Sequence, residues 1–129
     1  MKKIFAIMLS LVLVFTMASC GETKSIDQDF IESLGNGLNS RWDEIQHNPA
    51  ESEKNYNSYV TAELDEIAEF KNANFENKEL GKLAKKYILS LEEFKDLLSY
   101  YNTDKWYKSF QTIFQKRQAY VYFLYCLLA

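Results

Sequence analysis

The sequence predicts an all-α protein, an antiparallel up-and-down bundle of about four helices within residues 25–129. Three observations support this fold class. Apolar side chains recur at steps of three and four over four long stretches, which is the spacing of one face of an α-helix. Residues that cap helices mark the beginning of the first stretch and of the last. The connections between the stretches are short, and short connections favour antiparallel neighbours.

The first helix is predicted to begin after Ser25 and to end at Pro49. Ser25 and Gln28 have the spacing of a capping box, in which each side chain bonds to the backbone amide of the other residue. Gly35 and Gly37 interrupt the apolar stripe, and an interior glycine costs about 1 kcal/mol relative to alanine. They predict either a bend or break, which we favour, or the close approach of a neighbouring backbone. The stripe consists of Ile26, Phe30, Leu34, Leu38, Trp42 and Ile45.

The two middle helices are predicted from about Glu51 to Lys71 and from about Leu80 to Tyr101. Apolar residues of the second helix face inward, whereas its acidic residues, Glu63 among them, are expected to face mostly outward. The third helix has the clearest pattern, a heptad seam, and is expected to lie in the middle of the core. That seam consists of Leu80, Ala84, Tyr87, Leu91, Phe94, Leu98 and Tyr101.

The fourth helix is predicted to follow a cap offered by Asn102-Thr103-Asp104 and to end in an uncharged apolar tail, residues 119–129. Because the tail is apolar on all sides, we expect it to pack into the bundle. Two alternatives stay open, a truncated reading frame and insertion into a membrane or a partner, since exposed apolar patches usually mark contacts. The stripe of this helix consists of Trp106, Phe110, Ile113, Arg117, Tyr120 and Leu124.

The composition argues against several functions. The chain has 129 residues and a net charge of −3, and an acidic chain is a poor partner for nucleic acid. Glu44-x-x-His47 is half of a di-iron motif, but the chain has one histidine, so the full site is impossible within one subunit. We expect His47 to be exposed at a helix C-terminus, where its charge complements the helix dipole. The sequence predicts no metal site, no cofactor and no catalytic residues.

Arg117 is the most informative charged residue, because its register places it at the edge of an apolar seam. A guanidinium there must find a partner or reach water. The simpler interpretation is a structural ion pair with a helix carboxylate, and the alternative is contact with an anionic ligand or partner. Arg41, beside Trp42, raises the same question. If both arginines point into one cleft, the binding interpretation gains support.

The first twenty residues resemble the signal of a bacterial lipoprotein. Lys2 and Lys3 precede the apolar run 4–15, which is too short to cross a bilayer of about 30 Å as a helix. Small residues then lead to a cysteine in the manner of a lipobox, although Met17 stands where leucine is usual. The lipobox residues are Met17, Ala18, Ser19 and Cys20.

This resemblance implies that residues 1–19 are a signal peptide, that Cys20 carries a diacylglyceryl group, and that residues 20–24 are a short tether. Residues 25–129 would then form a bundle held at the extracytoplasmic face of the cell membrane. Two buried acyl chains anchor a protein stably, because each methylene contributes about 0.8 kcal/mol. The alternative is an ordinary secretory signal cut after Ala18 or Ser19.

Three further segments resemble small helical surface lipoproteins of Gram-positive bacteria whose function is uncharacterised. The resemblance implies this location and fold, and no activity. We therefore expect a non-catalytic binding module with a protein or envelope partner. The alternatives are a carrier or sensor of a small anionic ligand and, less favoured, an enzyme acting on envelope lipid or peptidoglycan. The segments are Leu38-x-x-Arg41-Trp42, Leu83-Ala84-x-x-Tyr87-Ile88 and Trp106…Arg117…Leu124.

Overall fold

A computed structural model describes residues 24–49 and 52–129, and these residues form four α-helices without any strand. A short 3₁₀ segment follows the second helix, and another follows the third. The predicted all-α bundle is confirmed. The helices are α1 (Ile26–His47), α2 (Glu53–Ile67), α3 (Lys78–Leu97) and α4 (Asp104–Leu128), and the 3₁₀ segments are Ala68–Asn72 and Leu98–Tyr100.

Side chains cap the beginning of all four helices. The predicted capping box of α1 is present: Ser25 Oγ accepts from the Gln28 amide at 3.2 Å, and Gln28 Oε1 accepts from the Ser25 amide at 3.2 Å. Each cap satisfies amides that have no partner within the helix. The caps of α2, α3 and α4 are Ser52, Asn77 and Thr103.

Contacts between α3 and α4 show that these helices run antiparallel. The rings of Tyr101 and Trp106 lie 4.9 Å apart, near the end of α3 and the beginning of α4. Further along, the Arg117 guanidinium lies 5.9 Å from the ring of Tyr87. Residue numbers therefore fall along α3 as they rise along α4, and α4 ends on the side of the bundle where α3 begins.

The first turn of α1 lies at that same side. The Asp27 carboxylate accepts hydrogen bonds from the backbone amides of Glu76 at 2.8 Å and Asn77 at 2.9 Å, immediately before α3. We call this side, where α1 and α3 begin and α4 ends, the N-terminal end of the bundle.

Two aromatic clusters fill the core. At the N-terminal end, the ring of Phe30 lies 5.5 Å from Phe70 and 5.4 Å from Phe75. Phe75 comes from the polar turn after α2 and is 3% exposed, so this turn contributes to the core. The cluster at the opposite end surrounds Tyr56 with Phe94, Tyr101, Trp106 and Phe110.

The favoured prediction was a bend or a break in α1, and the break is wrong, because the helix runs without interruption through Gly35 and Gly37. The second alternative, the close approach of a neighbouring backbone, is confirmed at Gly37. A Cβ atom there would lie 3.3 Å from the carbonyl oxygen of Glu63 and 3.4 Å from its Cα. The missing side chain of Gly37 therefore allows the α1 and α2 backbones to approach closely beside Glu63.

The predicted bounds of the second and third helices need small corrections. The α-helical part of α2 stops at Ile67, and the tighter 3₁₀ segment carries the chain on to Asn72. Likewise, α3 begins at Lys78 and passes into a 3₁₀ turn after Leu97. Among the described residues, no helix is both long and apolar enough to cross a membrane.

Candidate functional site

Arg117 lies in the middle of the bundle, and its side chain is 6% exposed. Its Nε donates to Glu63 Oε2 at 3.1 Å, and its Nη2 donates to Glu63 Oε1. A third nitrogen, Nη1, donates to the side-chain oxygen of Gln118 at 3.1 Å. Arg117 and Glu63 therefore form a bidentate ion pair between α4 and α2, the strongest geometry available to a guanidinium and a carboxylate.

Arg41 reaches the same carboxylate from α1. Its Nε lies 3.0 Å from Glu63 Oε1, and its side chain is 16% exposed, so it is closer to solvent than Arg117. Both arginines predicted as candidates therefore converge on one acidic residue. Trp42, which was predicted together with Arg41, is half-buried on α1.

Tyr87 completes the group from α3, and its hydroxyl donates to Glu63 Oε2. We call Arg41, Glu63, Tyr87 and Arg117 the central cluster. Burial and the neighbouring Glu63 charge raise the pKa of Tyr87 well above its usual value, so the phenol stays protonated.

The two arginines respond differently to their surroundings. Burial lowers the pKa of Arg41, and the positive charge of Arg117 lowers it further. Burial also acts to lower the pKa of Arg117, but the charge and hydrogen bonds of Glu63 outweigh it and raise that pKa. An arginine remains protonated in either case. Two guanidiniums share one carboxylate, so by formal charge the central cluster has one surplus positive charge.

A small cavity adjoins the central cluster. Its volume is about 20 Å³, enough for one particle the size of a water molecule. The space is therefore too small for an organic ligand in this conformation. It is lined by Arg41, Tyr56, Tyr59, Val60, Phe94, Phe114 and Arg117.

The expectation that Glu63 faces outward is wrong, because its side chain is 1% exposed. The sequence contained a signal for this. Glu63 follows Val60 by three residues and precedes Ile67 by four, so it lies on the apolar stripe of α2. Two arginines in apolar surroundings favour a buried acid, and the register of Glu63 is compatible with that role.

His47 and Glu44 do not converge on a common point. His47 is exposed at the end of α1, and its Nδ1 lies 2.7 Å from the Asp43 carbonyl oxygen. The Glu44 carboxylate accepts from the side-chain amide of Asn48 at 3.2 Å. Within residues 24–49 and 52–129, no three His, Cys, Asp or Glu side chains are grouped to hold a metal ion.

The last turns of α4 have two different faces. Leu124 is fully buried, so the expectation that the tail packs into the bundle is correct for this face. It is wrong for the opposite face, because there Tyr122 is 56% exposed, Phe123 49% and Leu127 39%. Cys126 is also exposed and has a free thiol. We call Tyr122, Phe123, Cys126 and Leu127 the α4 apolar face.

The chain was compared with known families, proteins and folds. No family model matches it, and neither the curated proteins nor the solved structures provide a match. The function is therefore inferred from the residues and contacts of the chain itself.

Proposed function

We propose that this chain is a lipid-anchored extracytoplasmic protein that acts as a non-catalytic binding module at the cell envelope. The observation that carries the proposal is the sequence before Cys20, two lysines, a short apolar run and small residues. Cys20 and the lipobox residues Met17, Ala18 and Ser19 lie outside the residues that the structure describes. The anchor therefore depends on the sequence pattern.

The arrangement of the central cluster favours a structural role for these residues over a catalytic one. A general acid or base must present its proton or lone pair to a substrate. The Glu63 oxygens instead accept hydrogen bonds from Arg117 and Tyr87 and form an ion pair with Arg41. The adjoining cavity of about 20 Å³ gives a substrate no room beside them.

Intact mass spectrometry of the full-length gene product, expressed in a bacterium, tests the anchor. The wild-type protein should lose residues 1–19 and gain the mass of a diacylglyceryl group. Cys20→Ala should abolish the added mass, whereas Cys126→Ala, which changes the other cysteine, should retain it. Cleavage without added lipid would contradict the anchor and indicate an ordinary secreted protein.

The binding role needs a separate test. Chemical cross-linking on intact cells, followed by purification of the wild-type protein in detergent, should enrich an envelope protein or cell-wall component. The Cys20→Ala variant is the control, because without the anchor it should lose the enrichment. No enriched partner, together with an unchanged envelope phenotype after deletion of the gene, would contradict the role.

The surplus positive charge of the central cluster favours a second candidate, a sensor of a small anion that uses Arg117 and Arg41. The adjoining cavity limits this ligand to about the size of a halide ion. The unfolding temperature of the full-length protein should then be higher in sodium chloride than in sodium gluconate at equal ionic strength. Arg41→Gln should remove the difference. Equal unfolding temperatures in the two salts would eliminate this candidate.

A further inference from the structure

The α4 apolar face is a continuous stripe on the outside of the bundle. Tyr122 and Cys126 are four residues apart, as are Phe123 and Leu127, so each pair stacks along one side of the helix. The stripe covers six residues, about 9 Å of helix length. The opposite side packs against the core through Tyr120, Val121, Leu124, Tyr125 and Leu128.

This face differs from the exposed side of the earlier turns of α4. There, the exposed positions are charged or polar apart from Tyr107, and the charged ones are Asp104, Lys105, Lys108 and Lys116. After Arg117, no residue of α4 is charged. Large apolar side chains that are half exposed without nearby charges are typical of contact surfaces.

The α4 apolar face lies at the same end of the bundle as the beginning of α1. α4 runs antiparallel to α3, and Asp27 of α1 binds the backbone amides immediately before α3. The first described residue, Lys24, lies two residues before α1 at this end. Ile26, in the first turn of α1, is also 40% exposed.

The chain before Lys24 determines what can reach this face. Residues 21–24 span at most about 14 Å between Cys20 and the bundle. The beginning of α1 contacts the segment before α3, and α3 neighbours α4, so the beginning of α1 and the end of α4 are separated by about two helix spacings of 8–10 Å at most. A bilayer that holds acyl chains on Cys20 is therefore within reach of the last turns of α4.

We propose that the α4 apolar face inserts into the lipid bilayer surface beside the anchor and fixes the orientation of the bundle. This inference rests on the proposed lipid anchor. The chemistry suits an interface, because tyrosine places its ring among acyl chains and its hydroxyl among headgroups. The contact is apolar and needs no anionic lipid. A short tether keeps the bilayer at high effective concentration, so lipid is favoured over a second copy of the chain.

The native Cys126 allows a direct test. After lipidation of Cys20, which mass spectrometry establishes first, Cys126 is the one free thiol of the chain. It is labelled with an environment-sensitive fluorophore in the full-length processed protein, reconstituted into phosphatidylethanolamine and phosphatidylglycerol vesicles. Nitroxide-bearing lipid should quench this label, and iodide in the water should not.

The matched control moves the label to the other end of the same helix. Tyr107 is 66% exposed near the beginning of α4, so Tyr107→Cys in a Cys126→Ser background reports on that end. Lipid-borne nitroxide should quench the Cys126 label at least about threefold more than the label at position 107, since inserted faces reach about 5–10 Å into the boundary. Iodide should show the reverse order.

A second variant keeps the label at Cys126 and changes only the surface. Phe123→Gln combined with Leu127→Gln should reduce lipid quenching to the level at position 107. Both side chains are exposed, so circular dichroism should show an unchanged helix content.

Each contrary outcome is distinct. Lipidated Cys20 with equal quenching at positions 126 and 107 overturns the membrane contact and leaves the anchor standing. Shielding of Cys126 from both quenchers, with ready Cys126–Cys126 disulfide formation, overturns it in favour of a second copy. Absence of lipid on Cys20 overturns the proposed function and this inference together.

Discussion

The middle and the last turns of α4 place charged and apolar side chains in opposite ways. In the middle of the helix the charged Arg117 is buried, whereas in the last turns the apolar Phe123 and Leu127 are half exposed. The difference is in the neighbouring helices. α2 supplies a carboxylate, α1 a second guanidinium and α3 a phenol around Arg117. No described element covers the α4 apolar face. Burial in this bundle therefore depends on the partners available as well as on polarity.

The central cluster and the α4 apolar face are expected to have different roles. A buried ion pair contributes little net stability, because taking two charges out of water offsets much of their attraction. Its loss is nevertheless costly, because the remaining charge stays buried. We therefore expect substitutions in the central cluster to change the stability of the fold, and those on the α4 apolar face to change the proposed contact with the bilayer.

The largest effect is expected for Glu63→Gln. Without the carboxylate, two guanidiniums share the middle of the bundle, and the free energy of unfolding should fall by about 3–5 kcal/mol. Urea denaturation measures the change. Asp65→Asn is the control, because Asp65 is exposed on the same helix and its substitution should cost less than about 0.5 kcal/mol. Equal effects of the two substitutions would show that Glu63 is solvated.

The next effect compares two leucines of the second half of α4. Leu124 is fully buried, so Leu124→Ala should cost about 3 kcal/mol through lost burial and a cavity. Leu127 is 39% exposed, and Leu127→Ala should cost less than about 1 kcal/mol. Thermal unfolding of both variants in detergent measures the difference. A larger cost at Leu127 would reverse the assignment of the two faces.

Tyr87→Phe removes the hydroxyl that donates to Glu63 and leaves the ring in place. A hydrogen bond to a charged group contributes about 1.5–3 kcal/mol, and the loss of unfolding free energy should lie near the lower value because Arg117 and Arg41 remain. Urea denaturation at pH 7 gives this number. A variant as stable as the wild type would show that the hydroxyl contributes nothing to the cluster.

The stability of Tyr87→Phe should also depend on alkaline pH differently from that of the wild type. The pKa of Tyr87 is raised by folding above its ordinary value of 10.0, so the unfolded chain loses this proton first. The stabilisation that the protonated Tyr87 hydroxyl contributes is complete below pH 10 and declines as pH rises beyond it. Between pH 9 and about 11, the wild type should lose more stability than Tyr87→Phe. Parallel curves would contradict the raised pKa.

The smallest effect is expected on the surface between α3 and α4. Lys116 Nζ lies 3.0 Å from Glu93 Oε2, and both side chains are more than 40% exposed. Solvent and salt screen such a pair, so Lys116→Ala should change the free energy of unfolding by less than about 0.5 kcal/mol. A cost near that of Tyr87→Phe would mean that this pair is not screened.

The helices and most of the core could be predicted from the sequence, because the apolar stripes and the caps are local signals. Phe30, Leu34, Leu91 and Leu124 occupy the buried positions that their spacing predicts. The orientation of Glu63 was missed because an acidic residue on an apolar stripe is normally read as facing solvent. The stripe alone did not show which distant residue would pair with it.

The exposed side of the tail was missed for a different physical reason. Helical periodicity locates a buried face only when polar residues mark the other side, and residues 118–129 contain no charge to mark it. Gly37 presented a related difficulty. Its cost within an isolated helix was visible, but the approach of the α2 backbone that requires it depends on the tertiary structure.

The most direct test of this account is a double-mutant cycle between Glu63 and Arg117. Urea unfolding is measured for the wild type, Glu63→Met, Arg117→Met and the double variant. We predict a loss of about 3–5 kcal/mol for Glu63→Met and a double variant that is less destabilised than the sum of the two single variants by more than about 1 kcal/mol, although Arg41 and Tyr87 also lose their acceptor. Single effects that are small and simply add would contradict it, because the two charges would then be solvated and open to an external ligand.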